Sequence, residues 1–374
     1  MKIHLASWES RMVRVIGIDP GTMSFDFCGL DDGEVFLEQT IPSVEIAENP
    51  GVVIDTLKSA GALDLIVGPS GYGLPVTHIS KVGDKENFEL ILVRPGDLKI
   101  GVLVGLRKLV KMMAAEGLNV YFIPGVIHLK TVPEHRKVNK IDLGTADKLC
   151  CATLGVQDQS SRLGIDYSET SFIMVEVGFG YNAIMAVEHG KVVDGIGGTV
   201  AGPAFLAQGR MDGELSYLLD SFTKDVLFEG GASSIAGDPM ISPEEFAKKH
   251  NDSEQYRVAW DALMEGVERD VAAIQVAVKD PREILISGRL SRVPEIYSEI
   301  SSRLSKYGEV RAVQGFAKTV KEAAQGAALI ADGLAGGRYQ ALVEALDIRG
   351  ASGTVLDHIY LRELDDLKKK YGLT

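Results

Sequence analysis

The chain has 374 residues, 45% hydrophobic, 24% charged and 7% aromatic, with a formal net charge of -13. That composition excludes a disordered or fibrous protein, and the length suits two domains rather than one core. The acidic balance favours solubility and excludes a nucleic-acid surface, but still allows a small anion held locally by backbone N–H groups. In chain order, a β-branched run over residues 13–18 ends at Asp19-Pro20-Gly21-Thr22, and apolar runs over 24–31 and from 34 follow, separated by Asp31-Asp32-Gly33. This is a meander with a glycine turn at each corner. Helical spacing over 54–60, a buried strand over 63–68 and a Gly/Pro-rich loop over 69–75 come next. An amphipathic helix is predicted over 101–116, a strand over 119–123 closed by Pro124-Gly125, and a helix over 146–154.

The opening pattern then recurs. Strands at 172–177, 182–188 and from 192 are separated by Gly178-Phe179-Gly180 and His189-Gly190-Lys191. The repeat points to a duplicated domain. Beyond it lie a glycine-rich loop at 195–202, helical stretches near 215–219 and 244–249, and a long helix over 254–278 containing Trp260. A strand at 283–287, a helix at 293–305, a strand near 310–313, a helix at 320–334 and a charged surface helix over 356–371 complete the pattern.

Cys28, Cys150 and Cys151 are too few for a metal knuckle or disulfide framework, and the adjacent pair reads as small buried hydrophobes in a helix. Residues 1–12 carry charge without a long apolar run, so no signal peptide is expected. No run of ~20 apolar residues suggests a membrane span. The expected location is the cytoplasm.

The chemical signal is an acidic residue followed closely by glycines. A corner of glycine and small hydroxyl residues lets backbone N–H groups approach phosphate oxygens without a Cβ in the way. Asp19 at a strand end could hold Mg²⁺ through water, with Thr22 and Ser24 adding hydroxyls. The alternative for a single copy is a plain tight turn; two copies in register weigh against it. Asp142, just before the predicted helix, could serve as base or metal ligand, whereas Asp147 reads first as charge complementing the helix dipole. His128 and His135, seven apart, with Arg136 and Lys137 form a basic island that either binds a metal through the histidines or contacts the ligand's phosphates. The loop at 68–75 either reaches a cleft between lobes or simply turns.

Three segments carry a family likeness. Gly17-Ile18-Asp19-Pro20-Gly21-Thr22, Glu176-Val177-Gly178-Phe179-Gly180 and Ile284-Leu285-Ile286-Ser287-Gly288-Arg289-Leu290 resemble the phosphate-1, phosphate-2 and adenosine motifs of the actin/Hsp70/sugar-kinase/acetate-kinase superfamily. The resemblance covers residues 13 to 336, and is greatest to an archaeal group described as butyrate-kinase-like. It implies an α/β fold of two ribonuclease-H-like domains, duplicated around a central nucleotide cleft. The implied domains are 13–165 and 166–336, with a helical extension, 337–374, packed back on the first lobe. The implied cofactors are ATP and Mg²⁺, with Asp19 and Glu176 at the metal. Gly21, Thr22, Ser24, Gly178, Gly180, Gly197, Gly198 and Thr199 would lie at the phosphates, and Ser287, Gly288 and Arg289 at the adenosine face.

By the same likeness, the stretch from Gly195 through Arg210 to Leu215 follows phosphate-2 as in acetate and butyrate kinases. Arg210 would then face the transferred phosphoryl group or an acceptor carboxylate, which its planar fork could meet twice. The chain also departs from the pattern. Glu176 replaces the usual Asp, Phe179 sits inside the turn, and Pro124-Gly125 occupies the place of the usual catalytic Asp. The implied function is phosphoryl transfer from ATP to a small carboxylate, with Asp142 and Arg210 as catalytic candidates. The alternative is a nucleotide-binding regulatory protein with little or no turnover. A homodimer is left open.

Overall fold

The structure is a computed structural model that describes residues 12–94 and 101–373. Residues 1–11, the segment read as no signal peptide, lie outside it. Strands β1 (Arg14–Pro20), β2 (Ser24–Asp31) and β3 (Glu34–Pro42) form an antiparallel meander. β4 (Leu65–Val67) pairs parallel to β1, and the short β5 (Thr77–His78) pairs antiparallel with β6 (Val120–Phe122), itself parallel to β4. The second sheet repeats the plan. β7 (Phe172–Val177), β8 (Asn182–Glu188) and β9 (Lys191–Ile196) form the meander, while β10 (Glu283–Ser287) and β11 (Val310–Ala312) extend it in parallel. The orders are β3-β2-β1-β4-β6-β5 and β11-β10-β7-β8-β9. In both, the leading strand separates the meander from the parallel strands, so the duplication read in the turns is also a duplication of topology.

Alternation along the strands loads both faces of each sheet. Val15, Leu30 and Val67 point into one core, and Ile16, Ile18, Phe27 and Ile66 into another. The outer core of the first sheet is closed by α1 (Gly51–Ser59), α2 (Asp84–Ile91) and α3 (Gly101–Ala115). In the second sheet Ile173, Val175 and Ile286 pack on α5 (Glu254–Ile274) and α6 (Pro294–Leu304), and Trp260 is buried in α5 as expected.

The remaining faces share one core. Phe172, Met174 and Met185 from the second sheet join Val15 and Val67 from the first around α4 (Ala146–Leu163) and α7 (Glu322–Leu334). α7, which follows the second sheet, lies on β1 and β2 of the first. α4, which follows the first sheet, packs on α7 and on β7. Glycine permits this exchange. A Cβ on Gly17 would fall 2.2 Å from the Ala328 nitrogen, and one on Gly326 1.9 Å from the Cys150 carbonyl oxygen. All three cysteines are free and buried.

α4 runs to Leu163, well past the expected residue 154, and stops at Gly164 in the left-handed conformation. The tail contributes α8 (Gln340–Ala345) and α9 (Leu364–Lys370), the latter shorter than the periodicity suggested. Leu342, Ile348 and Val355 enter the shared core, and Tyr371 stacks on Phe88 of α2 with ring centroids 4.7 Å apart. Among the described residues no helix is long and apolar enough to cross a membrane.

Candidate active site

A cleft of about 300 Å³ opens where the two meander corners face each other. Asp19 is the penultimate residue of β1 and Glu176 the penultimate residue of β7, so equivalent positions bring both carboxylates to the cleft floor. Gly21, Thr22 and Ser24 line one side, and Gly178 and Gly180 the other. A Cβ on Gly180 would come within 3.1 Å of the Thr22 hydroxyl, which measures how closely the two tips approach. Glu176 is boxed in on two sides. A Cβ on Gly178 would come within 3.2 Å of Glu176 Oε2, and one on Gly288 would meet Glu176 Oε1 at 2.7 Å. Phe179, the departure inside the turn, packs on Phe205 with centroids 5.3 Å apart and anchors the second tip in its core.

Each carboxylate faces a lysine that sequence reading missed. Lys321 Nζ lies 3.6 Å from Asp19 and 2.7 Å from Asp26, and donates to the Ser24 carbonyl at 3.1 Å. Lys148 Nζ lies 2.7 Å from Glu176 and 2.9 Å from Asp147. Burial pushes Asp19 up to about 6, with Lys321 opposing and Asp147 and Asp26 adding to the rise. Burial likewise holds Glu176 up at about 7 against the pull of Lys148. Asp147 moves the other way, because Lys148 and the Thr145 hydroxyl outweigh its burial. Lys148 heads the sequence only as the residue after Asp147, and Lys321 as the residue before an unremarkable Ala/Gly-rich helix. Neither had a local signal.

Asp142 is buried and faces the cleft, with Gly144 N–H donating to it at 2.8 Å. Its burial raises its proton affinity, while backbone N–H groups of Gly144 and Thr199 oppose the rise. Gly197 makes room for it, since a Cβ there would fall 1.9 Å from Asp142 Oδ1. The loop carrying Asp142 is tied to the turn after β6: Val126 N–H donates to the Gly144 carbonyl at 2.9 Å. The loop that carries Asp142 therefore lies against Pro124-Gly125, where a Cβ on Gly125 would come within 3.0 Å of the Gly144 carbonyl.

Gly198, Thr199, Gly288 and Arg289 line the cleft, and Arg289 pairs with Glu244 at 2.6 Å. Three expected residues do not line the cleft, and Gly197, packed on Asp142, is one of them. Ser287 points into the interior against the Met174 sulfur at 3.6 Å. Arg210 does not line the cleft; it pairs with the buried Asp270 of α5, which also accepts from Gly202 N–H at 2.5 Å. That pair fastens the glycine-rich loop to α5, and the order of residues alone could not distinguish the two placements. The basic island also turns away. His128 is buried on the Gly125 turn and held down to about 4 by burial, while Arg136 donates to the Val193 carbonyl at 2.8 Å. The loop at 68–75 does reach the cleft, through Gly71 and Tyr72. Tyr72, Tyr181, Phe228, Leu90 and Ile91 form its apolar end, with Lys224 over the Tyr72 ring at 4.9 Å.

The residue pattern that builds this cleft has a family. The family described as "Protein of unknown function (DUF1464)" matches residues 17–361. The chain belongs to that family. No curated protein matches the sequence. Among solved structures, a propionate kinase from Francisella tularensis subsp. tularensis SCHU S4 is similar with a TM-score of 0.61 at 13% identity, covering 84% of this chain and 99% of that one. The acetate kinase from Entamoeba histolytica is similar with a TM-score of 0.60 at 14% identity, covering 79% and 87%. The Porphyromonas gingivalis acetate kinase gives 0.54 at 15% identity, covering 83% and 94%. The fold is therefore the one shared by these acetate and propionate kinase structures, two α/β lobes with a cleft between them.

Proposed function

We propose that this chain is an ATP- and Mg²⁺-dependent phosphotransferase acting on a small molecule, with a short carboxylate as the acceptor class to test first. The observation that carries the reading is the convergence of two glycine corners, each with a carboxylate at its root, on a cleft that Asp142 also lines. The donor set fits the cofactor. Mg²⁺ uses one or two carboxylates plus phosphate oxygens and water, so Asp19 and Glu176 would hold it without a third ligand. Among the described residues no group of three or more His, Cys, Asp or Glu side chains is placed to hold a metal ion. When bound, the ion supplies charge neutralisation between the nucleotide phosphates.

The chain's own groups supply the rest. Backbone N–H groups of Gly21, Thr22 and Gly180 would hold phosphate oxygens, since no Cβ screens the glycines, while the Gly178 N–H donates to the Tyr181 carbonyl at 3.0 Å and closes its corner. Gly288 and Arg289 would border the adenosine. Tyr72, Tyr181 and Phe228 would exclude water around the acceptor, and Asp142 would orient it or take the proton of an acceptor hydroxyl. A second reading, a nucleotide-binding regulatory protein, is favoured by one observation: Arg210, the expected acceptor clamp, is bound to Asp270. A melting-temperature screen with ATP, ADP and Mg²⁺, run beside a labelled-ATP transfer assay over short carboxylates and small alcohols, separates the readings. A shift with transfer supports the kinase, and a shift without transfer supports the regulator. No shift with either nucleotide ends both.

A further inference from the structure

Lys148 stands where the acids of the cleft converge. It projects from the first turn of α4, pairs with Asp147 and Glu176, and lines the cleft beside Asp19, Asp142 and Thr145. Its charge acts on Asp19, on Glu176 and on Asp142 alike. An ammonium has three donors. Asp147 and Glu176 lie within ion-pair distance of it, and no third protein group is paired with it among the described residues. A phosphoryl group in transfer spreads charge over its equatorial oxygens and needs a cation beside them. Asp19, Glu176, Asp142 and Lys148 all line the one cleft, and Arg210 does not; on the ATP-dependent reading Asp19 and Glu176 would serve the nucleotide and Asp142 the acceptor.

We propose that Lys148 is a catalytic cation that contacts the transferred phosphoryl group, in the role that the family resemblance implies for Arg210. This rests on the ATP-dependent reading of the cleft. In the step, the bond from the γ-phosphorus to its bridging oxygen breaks as the acceptor oxygen bonds to phosphorus, and the electron pair of the broken bond stays on ADP. Lys148 keeps its proton throughout. An acceptor hydroxyl passes its proton to Asp142, and an acceptor carboxylate has none to pass. Asp147 and Glu176 hold the ammonium in place, so a flexible lysine is positioned before the ligand arrives.

A purely structural lysine would neutralise Asp147 and Glu176 and be indifferent to the γ-phosphate. Calorimetric binding of ADP and of β,γ-imido-ATP, both with Mg²⁺, tells the two apart. The wild-type chain is expected to bind the triphosphate about ten-fold more tightly, the scale of one charge-assisted hydrogen bond. Lys148→Gln is expected to remove that preference while leaving ADP affinity within about two-fold, and Lys148→Arg to restore part of it. If Lys148→Gln fails to melt cooperatively, the charge-balanced pair Asp147→Asn with Lys148→Met is read in its place. An unchanged triphosphate preference in the variant overturns the proposal, as does an equal loss of both nucleotides. Wild-type protein that binds ADP without preferring the triphosphate also overturns it, leaving the nucleotide reading intact. Wild-type protein that binds neither nucleotide removes that reading, and Lys148's role with it.

Discussion

Asp19 and Glu176 occupy equivalent positions in the two halves, and each is paired with a lysine delivered by the helix that follows the other half's sheet. Lys321, at the start of α7 after the second sheet, reaches Asp19 of the first. Lys148, in α4 after the first sheet, reaches Glu176 of the second. The exchange of α4 and α7 between lobes therefore builds the cleft floor as well as the shared core.

That floor should titrate. Glu176 is held up at about 7 and Asp19 at about 6, from ordinary values of 4.5 and 3.8. The folded chain keeps protons that the unfolded chain releases, so stability present below the ordinary values is lost as pH rises through about 6 to 7. For ligand-free protein, Glu176→Gln should flatten the fall in stability between about pH 5 and pH 8 by on the order of 2 kcal/mol. Urea unfolding across that range checks it; a variant curve as steep as the wild-type curve would sink the assignment.

The helix exchange depends on two glycines. Gly326→Ala places a methyl group against the Cys150 carbonyl and should cost about 2–3 kcal/mol or more, as overpacking does. Gly213→Ala, whose Cβ meets nothing within 4 Å, should stay within about 0.5 kcal/mol of wild type. Equal losses in the two variants, read by denaturant midpoints, would mean that α4 and α7 do not pack so closely.

Arg210 should behave as a structural residue. Its loss leaves Asp270 buried without its cation; because Arg210 is itself half exposed, a cost of about 1–3 kcal/mol is expected, below that of a fully buried pair. Arg210→Ala should therefore lower Tm and leave nucleotide Kd within about two-fold. Unchanged Tm with collapsed acceptor turnover would return Arg210 to the cleft.

Asp142 and Asp19 should separate binding from chemistry. With a hydroxyl acceptor, whose proton must leave, Asp142→Asn should lower kcat about 100-fold or more with nucleotide affinity retained, the scale of general-base loss. Asp19→Ala should abolish turnover by weakening the Mg²⁺ nucleotide itself. Single-turnover transfer beside calorimetry reads both. An Asp142→Asn enzyme with full kcat would remove it from the reaction.

Sequence by itself determined the two meanders, the acid at the root of each glycine corner and the elements that surround them. These are local properties, because alternation, β-branched runs and glycine turns act over a few residues. It therefore placed Asp19, Glu176 and the corner glycines at one locus, and singled out Asp142. Tertiary structure alone decided which charges meet. Lys148 and Lys321 reach their carboxylates only because α4 and α7 are exchanged between sheets. Arg210 is drawn to Asp270, 60 residues along the chain. The loop carrying Asp142 folds back onto the turn after β6. Long-range pairings of this kind depend on which helix face lands on which sheet, and that is set by close approaches such as Gly326 on Cys150. A one-dimensional pattern carries no record of them.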